Sequence, residues 1–313
     1  MTVPNYLYND QSHEKSINYR STTLIVGASG LCGNLATKKI IKDSSNEFFI
    51  IWINNTNFTC HNPNCSSLKL GSAANYHDWL IALEKIKPVK IILISNIRFA
   101  SPMIDAIQYL SPSFRPRNIL AVSTTAVYSK FEEYSNEYLR CEKKLRSFAG
   151  HCNILILRPS LIYGDKHDKN ISQLVGFISR WKFAPKFYGI NPTYQPIYFE
   201  DFANCIAIFY QTSPYIGTIN VAGKEYLTYN EICQLIFKKL ALKPRYIYIH
   251  TKFLNIILLI LQKTFIKLPG ISKERIDRLS EDKICDSKYY LSNIECNPVS
   301  FSQGLSKLII SLL

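Results

Sequence analysis

The amino-acid sequence predicts an α/β protein: a doubly wound, parallel β-sheet followed by a smaller, mostly helical C-terminal part. The first half of the chain alternates runs of valine, isoleucine and leucine with segments of helical composition. This pattern is typical of parallel strands that are buried on both faces. The first apolar run ends in a glycine-rich turn. After Gly164 the regular alternation of apolar runs and helical segments stops. Together these observations favour a layered sheet followed by a second region.

The elements of the first region alternate from Thr22 onward. Residues 1–20 are polar and lack an apolar segment, so we expect a loose extension there. We interpret the strands as TTLIVGAS, EFFIIWIN, VKIILIS, RNILAVST and NILILRP, and the helices as GNLATKKIIK, HDWLIALEKI, SPMIDAIQYL and the segment 136–149. The predicted sheet domain therefore spans residues 21–165.

The second region begins with a helix, ISQLVGFISRW, and then returns to the sheet. A short strand running into a helix, YQPIYFEDFANCIAIFY, and a further strand, GTINVAG, are expected to complete the sheet over about 195–223. Thr228 and Glu231 then have the spacing of a capping box before an apolar-periodic helix. We expect residues 166–194 and 224–313 to form the second part.

Charge and cysteine content limit the possible partners. The chain has 313 residues and a net charge of +14, but its basic residues are scattered. This favours a small anionic ligand over nucleic acid. Nine cysteines without framework spacing favour a reducing cytoplasm. Cys60 and Cys65, in CHNPNC, lack two further ligands at matching spacing, so we interpret them as incidental thiols in a turn and predict no metal site.

The most apolar segment lies at residues 253–266. Its unbroken apolar core is far shorter than the ~20 residues that a membrane-spanning helix needs. We predict no transmembrane segment and favour a buried or lid helix. The alternative is a helix that lies on a membrane surface and gives weak peripheral contact.

Three glycines mark the turn between the first strand and the first helix. Gly27 permits a tight turn, Gly30 allows the backbone to approach a pyrophosphate, and Gly33 allows the helix to pack closely on the strand. Amides at the helix N-terminus then face the phosphates. The alternative is a βα corner without a ligand. We predict a dinucleotide site that includes Gly27, Ser29, Gly30, Leu31, Cys32 and Gly33.

The end of the second strand is expected to contact the adenosine ribose. An acid there favours NAD through the 2′-hydroxyl, whereas a base accommodates the 2′-phosphate of NADP. Asn54 and Asn55 are neither. The expected cofactor is therefore NADP or NAD, with a slight preference for NADP.

Five motifs carry a resemblance to a known family. VGASGLCG, STTAVY, ILRPSLIYG, YQPIYFEDFANCI and TINVAGKEYLTYNEI resemble segments of the extended short-chain dehydrogenase/reductase family, in its NAD-dependent epimerase/dehydratase branch. The resemblance runs from about Thr22 to the C-terminus. It implies a Rossmann sheet of about seven strands, a nicotinamide cofactor, a nucleotide-linked sugar in the C-terminal cleft and a possible homodimer. The segment DKNISQLVGFISRWKFAPKF and the tail DRLSEDKICDSKYYLSNIECNP are similar to a bacterial surface-polysaccharide branch.

The family's catalytic positions carry over only in part. By resemblance, Thr124 orients a substrate oxygen and Tyr138 is the acid–base tyrosine. The family's lysine, four residues later, falls on Glu142, and Lys143 is the next residue. Tyr128 is interpreted as a packing and ribose-edge residue. The resemblance also places Asn96, Ser123 and Pro159 beside the cofactor.

The missing lysine leaves two functions open. Tyrosine titrates near 10 in water and needs a nearby positive charge to act at neutral pH. Lys143, at the fifth position, lies about 140° round the helix and reaches back only if its stem bends. Either Tyr138 and Thr124 act in an atypical epimerase, dehydratase or reductase, or the fold holds a dinucleotide as a sensor or scaffold without turnover. Tyr138 as a packing aromatic and Thr124 as an ordinary strand residue remain alternatives.

Overall fold

The computed structural model describes residues 22–44, 47–54, 58–59, 62–166, 168, 170–212, 216–250, 278–293 and 297–312. The predicted extension at 1–20, the apolar segment at 253–266, Asn55 and Cys60 lie outside these residues. Among the helices that are described, none is both long and apolar enough to cross a membrane.

A seven-stranded sheet forms the centre of the molecule. Its strands are β1 (Thr22–Val26), β2 (Phe48–Ile53), β3 (Cys65–Lys69), β4 (Lys90–Leu93), β5 (Asn118–Val122), β6 (Asn153–Pro159) and β11 (Gly217–Val221). All neighbouring pairs are parallel, in the order β11-β6-β5-β4-β1-β2-β3. The chain leaves β1 first to one side, toward β2 and β3, and then to the other, toward β4. The predicted doubly wound parallel sheet is confirmed.

Helices cover both faces of the sheet. They are α1 (Leu31–Asp43), α2 (Tyr76–Ile86), α3 (Ala100–Tyr109), α4 (Glu132–Ser147), α5 (Ile171–Trp181), α6 (Phe199–Gln211), α7 (Tyr229–Lys239), α8 (Lys288–Asn293) and α9 (Phe301–Leu312). Alternate residues of β1 enter different cores: Leu24 packs with α2, α3 and α4, whereas Ile25 packs with α1 and α6. Because both faces are buried, each strand is a continuous apolar run.

Two boundaries differ from the sequence prediction. Strand β3, at Cys65–Lys69, was not predicted, because this edge strand is short and only partly buried and carries two serines in place of an apolar run. Helix α4 begins at Glu132, four residues before the predicted start. Its first turn is acidic, which suits the positive end of the helix dipole but leaves no apolar signal.

The C-terminal part packs around its own core, which α5, α7 and α9 share. It also contains three two-stranded ladders: β7 (Ile162–Tyr163) with β10 (Ile197–Tyr198), β8 (Ala184–Phe187) with β13 (Tyr246–Ile249), and β9 (Thr193–Tyr194) with β12 (Leu227–Thr228). It therefore has more strand than the sequence indicated. The predicted capping box of Thr228 and Glu231 is present at the start of α7.

Candidate active site

The glycine loop connects β1 to α1 in a shape that side chains would disrupt. Gly27 has a φ of +98°, and a Cβ there would lie 2.6 Å from the backbone nitrogen of Ser95. A Cβ on Gly33 would overlap the carbonyl oxygen of Gly27. Helix α1 begins at Leu31, and its N-cap Gly30 has no capping side chain. The backbone amides of the first turn lack intrahelical acceptors, and no capping side chain accepts a hydrogen bond from them.

The remaining loop residues leave room for a ligand. A Cβ on Gly30 would have only one neighbour, the Gly27 oxygen at 3.4 Å. Ser29 and Leu31 are exposed. Burial raises the pKa of the Cys32 thiol to about 12, which keeps this thiol uncharged beside the loop. A loop with open backbone and no negative charge fits the phosphates of a dinucleotide.

Asn54 marks the place expected for the adenosine ribose. It follows the last residue of β2 and is exposed. β2 lies beside β1 in the sheet, so Asn54 and the glycine loop share the edge at which the parallel strands end. This arrangement keeps Asn54 available to a ribose or a 2′-phosphate.

A cavity of about 520 Å³ opens at the same edge of the sheet. Its walls include the residues that follow β4, β5 and β6, together with Tyr138 of α4 and residues 278 and 281–284. Ser95, which abuts Gly27, is also in the wall. Ser95 therefore brings the cavity next to Gly27, although no residue of the glycine loop lines it. From there the cavity runs along the carboxyl ends of the strands, where open α/β sheets bind their ligands.

Several of the predicted residues meet in this cavity. Asn96, Ser123, Thr124, Tyr138 and Pro159 all line it. The Asn96 side chain accepts a hydrogen bond from the Arg98 backbone nitrogen at 3.1 Å. Thr124 Oγ1 accepts from the Ala126 nitrogen at 3.1 Å, which caps the 3-10 turn Thr125–Tyr128. This contact uses a lone pair of Thr124, so its hydroxyl can still donate into the cavity.

Tyr138 and Lys143 lie in different settings on α4. The Tyr138 ring is half-buried, and the guanidinium carbon of Arg98 lies 5.4 Å from its centroid. Arg98 is itself paired with Glu137 at 2.6 Å. Lys143 is exposed and is not among the residues that line the cavity. The structure therefore brings Tyr138, but not Lys143, to the site.

Glu142 occupies the position expected for lysine and is completely buried. Its carboxylate accepts from Ser123 Oγ at 2.6 Å and from Arg158 Nε at 2.9 Å. Arg158 Nη2 and Arg146 Nη2 both donate to its other oxygen. A buried carboxylate needs such partners, and these four donors fix Glu142 against β6.

Arg158 extends this network to Tyr128. Its Nη1 donates to the Tyr128 hydroxyl oxygen at 2.6 Å, and the Tyr128 hydroxyl donates to Asn220 Oδ1 at 2.9 Å. Burial alone would lower the pKa of Arg158, but hydrogen bonds and charge from Glu142, together with Tyr128, raise it above its ordinary value. The guanidinium therefore stays charged beside the phenol.

Residues 278–287, which we call the C-terminal strap, close one side of the cavity. Glu281 Oε1 accepts from Ser129 Oγ at 2.5 Å and from the Lys130 nitrogen at 2.9 Å, and Oε2 accepts from Arg278 Nε at 2.6 Å. Asp282 Oδ1 accepts from the Thr193 nitrogen at 2.7 Å. The strap thus ties the loop after β5 to the C-terminal part.

Sequence reasoning missed the Glu142–Arg158–Tyr128 network and the strap. One signal was available: Arg158 is a charged residue in an otherwise apolar strand, NILILRP, and such a residue requires a buried partner. The strap has no periodicity that could reveal its position. Within the described residues, no group of three or more histidine, cysteine, aspartate or glutamate side chains is arranged to hold a metal ion.

Solved structures of sugar-nucleotide epimerases and dehydratases share this fold. UDP-glucose 4-epimerase from Thermotoga maritima aligns with a TM-score of 0.66 and 13% identity, over 93% of this chain and 98% of that one. UDP-glucuronic acid 4-epimerase from Bacillus cereus gives 0.67 and 15%, over 93% and 98%. dTDP-glucose 4,6-dehydratase from Bacillus anthracis gives 0.63 and 15%, over 93% and 96%.

These comparisons confirm the predicted resemblance at the level of the fold. No protein-family model matches the chain, and no curated protein matches it by sequence. The likeness is therefore one of architecture, and the chemistry of this chain has to be argued from its own residues.

Proposed function

We propose that this protein is a nicotinamide-dinucleotide-dependent oxidoreductase, epimerase or dehydratase that acts on a nucleotide-linked sugar. The observation that carries the proposal is the cavity that begins beside the glycine loop and continues to Thr124 and two tyrosines, Tyr128 and Tyr138. Its volume of about 520 Å³ lies within the roughly 300–1,000 Å³ of small-molecule sites.

The dinucleotide fits the loop through backbone groups. Gly27 and Gly33 have no room for side chains, and the first amides of α1, which no side chain caps, would donate to the pyrophosphate. A dinucleotide bound there would supply hydride transfer to or from a substrate carbon. Asn96, Ser123 and Pro159, which lie at the carboxyl ends of β4, β5 and β6, would then form the wall beside the nicotinamide.

The substrate's reacting oxygen is assigned to Thr124 and a phenol. Thr124 can donate a hydrogen bond to that oxygen, and a tyrosine hydroxyl can exchange its proton. Tyr138 is the candidate that the family resemblance offers. Relatives of the same fold were solved with UDP-glucose, or with NAD and a UDP-linked sugar. This supports a nucleotide-linked sugar as the substrate class.

A second candidate is a dinucleotide-binding protein without turnover. Glu142 favours it, because the residue that should assist Tyr138 is a buried carboxylate already engaged by Ser123, Arg158 and Arg146. The glycine loop suits both candidates equally.

Two measurements separate the candidates. Calorimetric titration with NAD and NADP tests the loop, and incubation of the loaded protein with UDP-glucose, UDP-glucuronic acid or dTDP-glucose tests chemistry. We expect saturable dinucleotide binding, with a change in nicotinamide absorbance or a new sugar by chromatography. Binding without either change would favour the sensor, and no binding would refute both candidates.

A further inference from the structure

Tyr128 lines the same cavity as Thr124. It ends the 3-10 turn that Thr124 caps, and it is 52% exposed. The Tyr128 hydroxyl oxygen accepts a hydrogen bond from Arg158 Nη1 at 2.6 Å, and the hydroxyl donates a hydrogen bond to Asn220 Oδ1 at 2.9 Å. Both the hydroxyl and its hydrogen-bonding partners are therefore fixed before any ligand arrives.

The Arg158 guanidinium is held in place from its other side. Nε and Nη2 of Arg158 donate to the two carboxylate oxygens of Glu142 as a bidentate pair. Nη1 therefore remains to donate to the Tyr128 oxygen. Arg146 adds a second guanidinium to the same carboxylate. Two positive groups therefore share one negative group, and one positive charge remains in the cluster beside the phenol.

Among the residues that the structure describes, none forms a comparable hydrogen bond with the Tyr138 hydroxyl. Arg98 contacts the face of its ring, and Glu142, four residues later, is directed to Arg158. A guanidinium that donates to a phenol oxygen stabilises the negative charge that develops when the proton leaves. That assistance is given to Tyr128.

We propose that Tyr128 is the phenol that exchanges the proton with the substrate, and that Arg158 replaces the missing lysine as its charge partner. Glu142 is a positioning residue that aims Arg158. This inference rests on the proposed function. It also explains why the lysine position can carry a buried glutamate.

In the reduction, the carbonyl carbon of the sugar would accept a hydride from the reduced dinucleotide, and the carbonyl oxygen would take the proton of Tyr128. The C=O double bond becomes a C–OH single bond, and Tyr128 is left as a phenolate paired with Arg158 until water returns a proton. Oxidation is the reverse. The substrate oxygen has to take the acceptor place that Asn220 holds in the free protein.

The first test needs neither cofactor nor substrate. Nitration by tetranitromethane attacks the phenolate, and peptide mass spectrometry reports its rate at each tyrosine. We expect Tyr128 to be nitrated faster than Tyr226, which is exposed to a similar extent at 56%. The difference in nitration rate between these two tyrosines should be larger in Arg158→Lys, which keeps a positive charge, than in Arg158→Met. Equal or slower nitration of Tyr128 in the unaltered protein would overturn the proposal, whether or not the variants fold.

The second test compares two conservative variants in the loaded enzyme. Tyr128→Phe should reduce kcat by about 100-fold, the usual effect of removing a general acid–base group, with little change in KM or dinucleotide affinity. Tyr138→Phe should reduce kcat by less than about 10-fold, which is less than a tenth of the effect expected for Tyr128→Phe. The reverse order would assign the proton to Tyr138. If the unaltered protein turns over no sugar, the proposed function fails, and nitration alone still decides whether Arg158 activates Tyr128.

Discussion

Glu142 and Arg158 form a buried bidentate ion pair between helix α4 and strand β6. The glutamate is fully buried and the arginine nearly so. Removal of one partner from such a pair leaves an uncompensated charge in the protein interior. The position at which the sequence resemblance expects a lysine is therefore part of the packing of α4 against the sheet.

Glu142→Lys, which places a lysine where the resemblance expects one, should destabilise the protein without activating it. The new ammonium would face Arg158 and Arg146, so we expect a loss of about 3–5 kcal/mol in the free energy of unfolding and no gain in turnover. Urea unfolding measures this. Lys143→Glu, on the exposed neighbour, is the matched charge reversal and should change stability within about 0.5 kcal/mol. A Glu142→Lys protein that is as stable as the unaltered one and more active would contradict the network.

Lys143 is expected to contribute nothing to the chemistry. It is exposed and absent from the residues lining the cavity, so Lys143→Met should alter kcat less than about twofold, well below the 10²-fold of a proton-transfer group. Steady-state kinetics with the best sugar substrate provide the measurement. A loss comparable with that of a tyrosine variant would show that its flexible stem reaches the site.

Substitutions at different glycines of the loop should affect dinucleotide binding and folding separately. Gly30→Val has room locally and should retain the fold while dinucleotide binding disappears, because its side chain projects where the pyrophosphate must approach. Gly33→Ala should lower the melting temperature, because its Cβ overlaps the Gly27 carbonyl. Calorimetry and circular dichroism measure the two effects.

A helical glycine provides the control for these variants. Gly176 has nothing within 4 Å of its Cβ position, so Gly176→Ala should stabilise by up to about 1 kcal/mol. Unchanged dinucleotide affinity in Gly30→Val would remove the glycine loop from the binding site.

NADP is expected to bind at least as well as NAD. Asn54 is exposed at the end of β2 and can hydrogen-bond a phosphate without repelling it. Asn54→Asp should shift the preference toward NAD, because an acid repels the 2′-phosphate and accepts from the 2′-hydroxyl. Parallel titrations give both affinities. A tenfold preference of the unaltered protein for NAD, about 1.4 kcal/mol, would count against this.

Acid should weaken the attachment of the C-terminal strap. Burial alone would raise the pKa of Glu281, but hydrogen bonds from Arg278, Ser129 and Lys130 outweigh it and lower the pKa below its usual value. A carboxyl with a lowered pKa in the folded state contributes stability above its unfolded pKa and loses it as the pH falls through the folded value. The difference in unfolding free energy between the unaltered protein and Glu281→Gln should therefore be largest at neutral pH and shrink below about pH 4. A difference that does not vary with pH would contradict this.

The sheet could be predicted because its strands are apolar runs on both faces, as in β1 and β6. β3 could not, because an edge strand buries little and its serines carry no apolar signal. Within the site, the glycine loop follows from local backbone requirements that are visible in three residues. The Glu142–Arg158 pair depends on how α4 packs on β6, and the sequence shows only that Arg158 needs some partner.

The strap also sets the order in which the site can be completed during synthesis. Glu281 bonds to Ser129 across a separation of 152 residues, so a ribosome exposes the glycine loop, Thr124 and Arg158 long before it exposes the wall that faces them. Until the strap is made, the carboxyl edge of the sheet lacks that wall. A dinucleotide that bound at this point would occupy the glycine loop before the cavity was closed on that side, so cofactor loading would be an early event in the maturation of the protein.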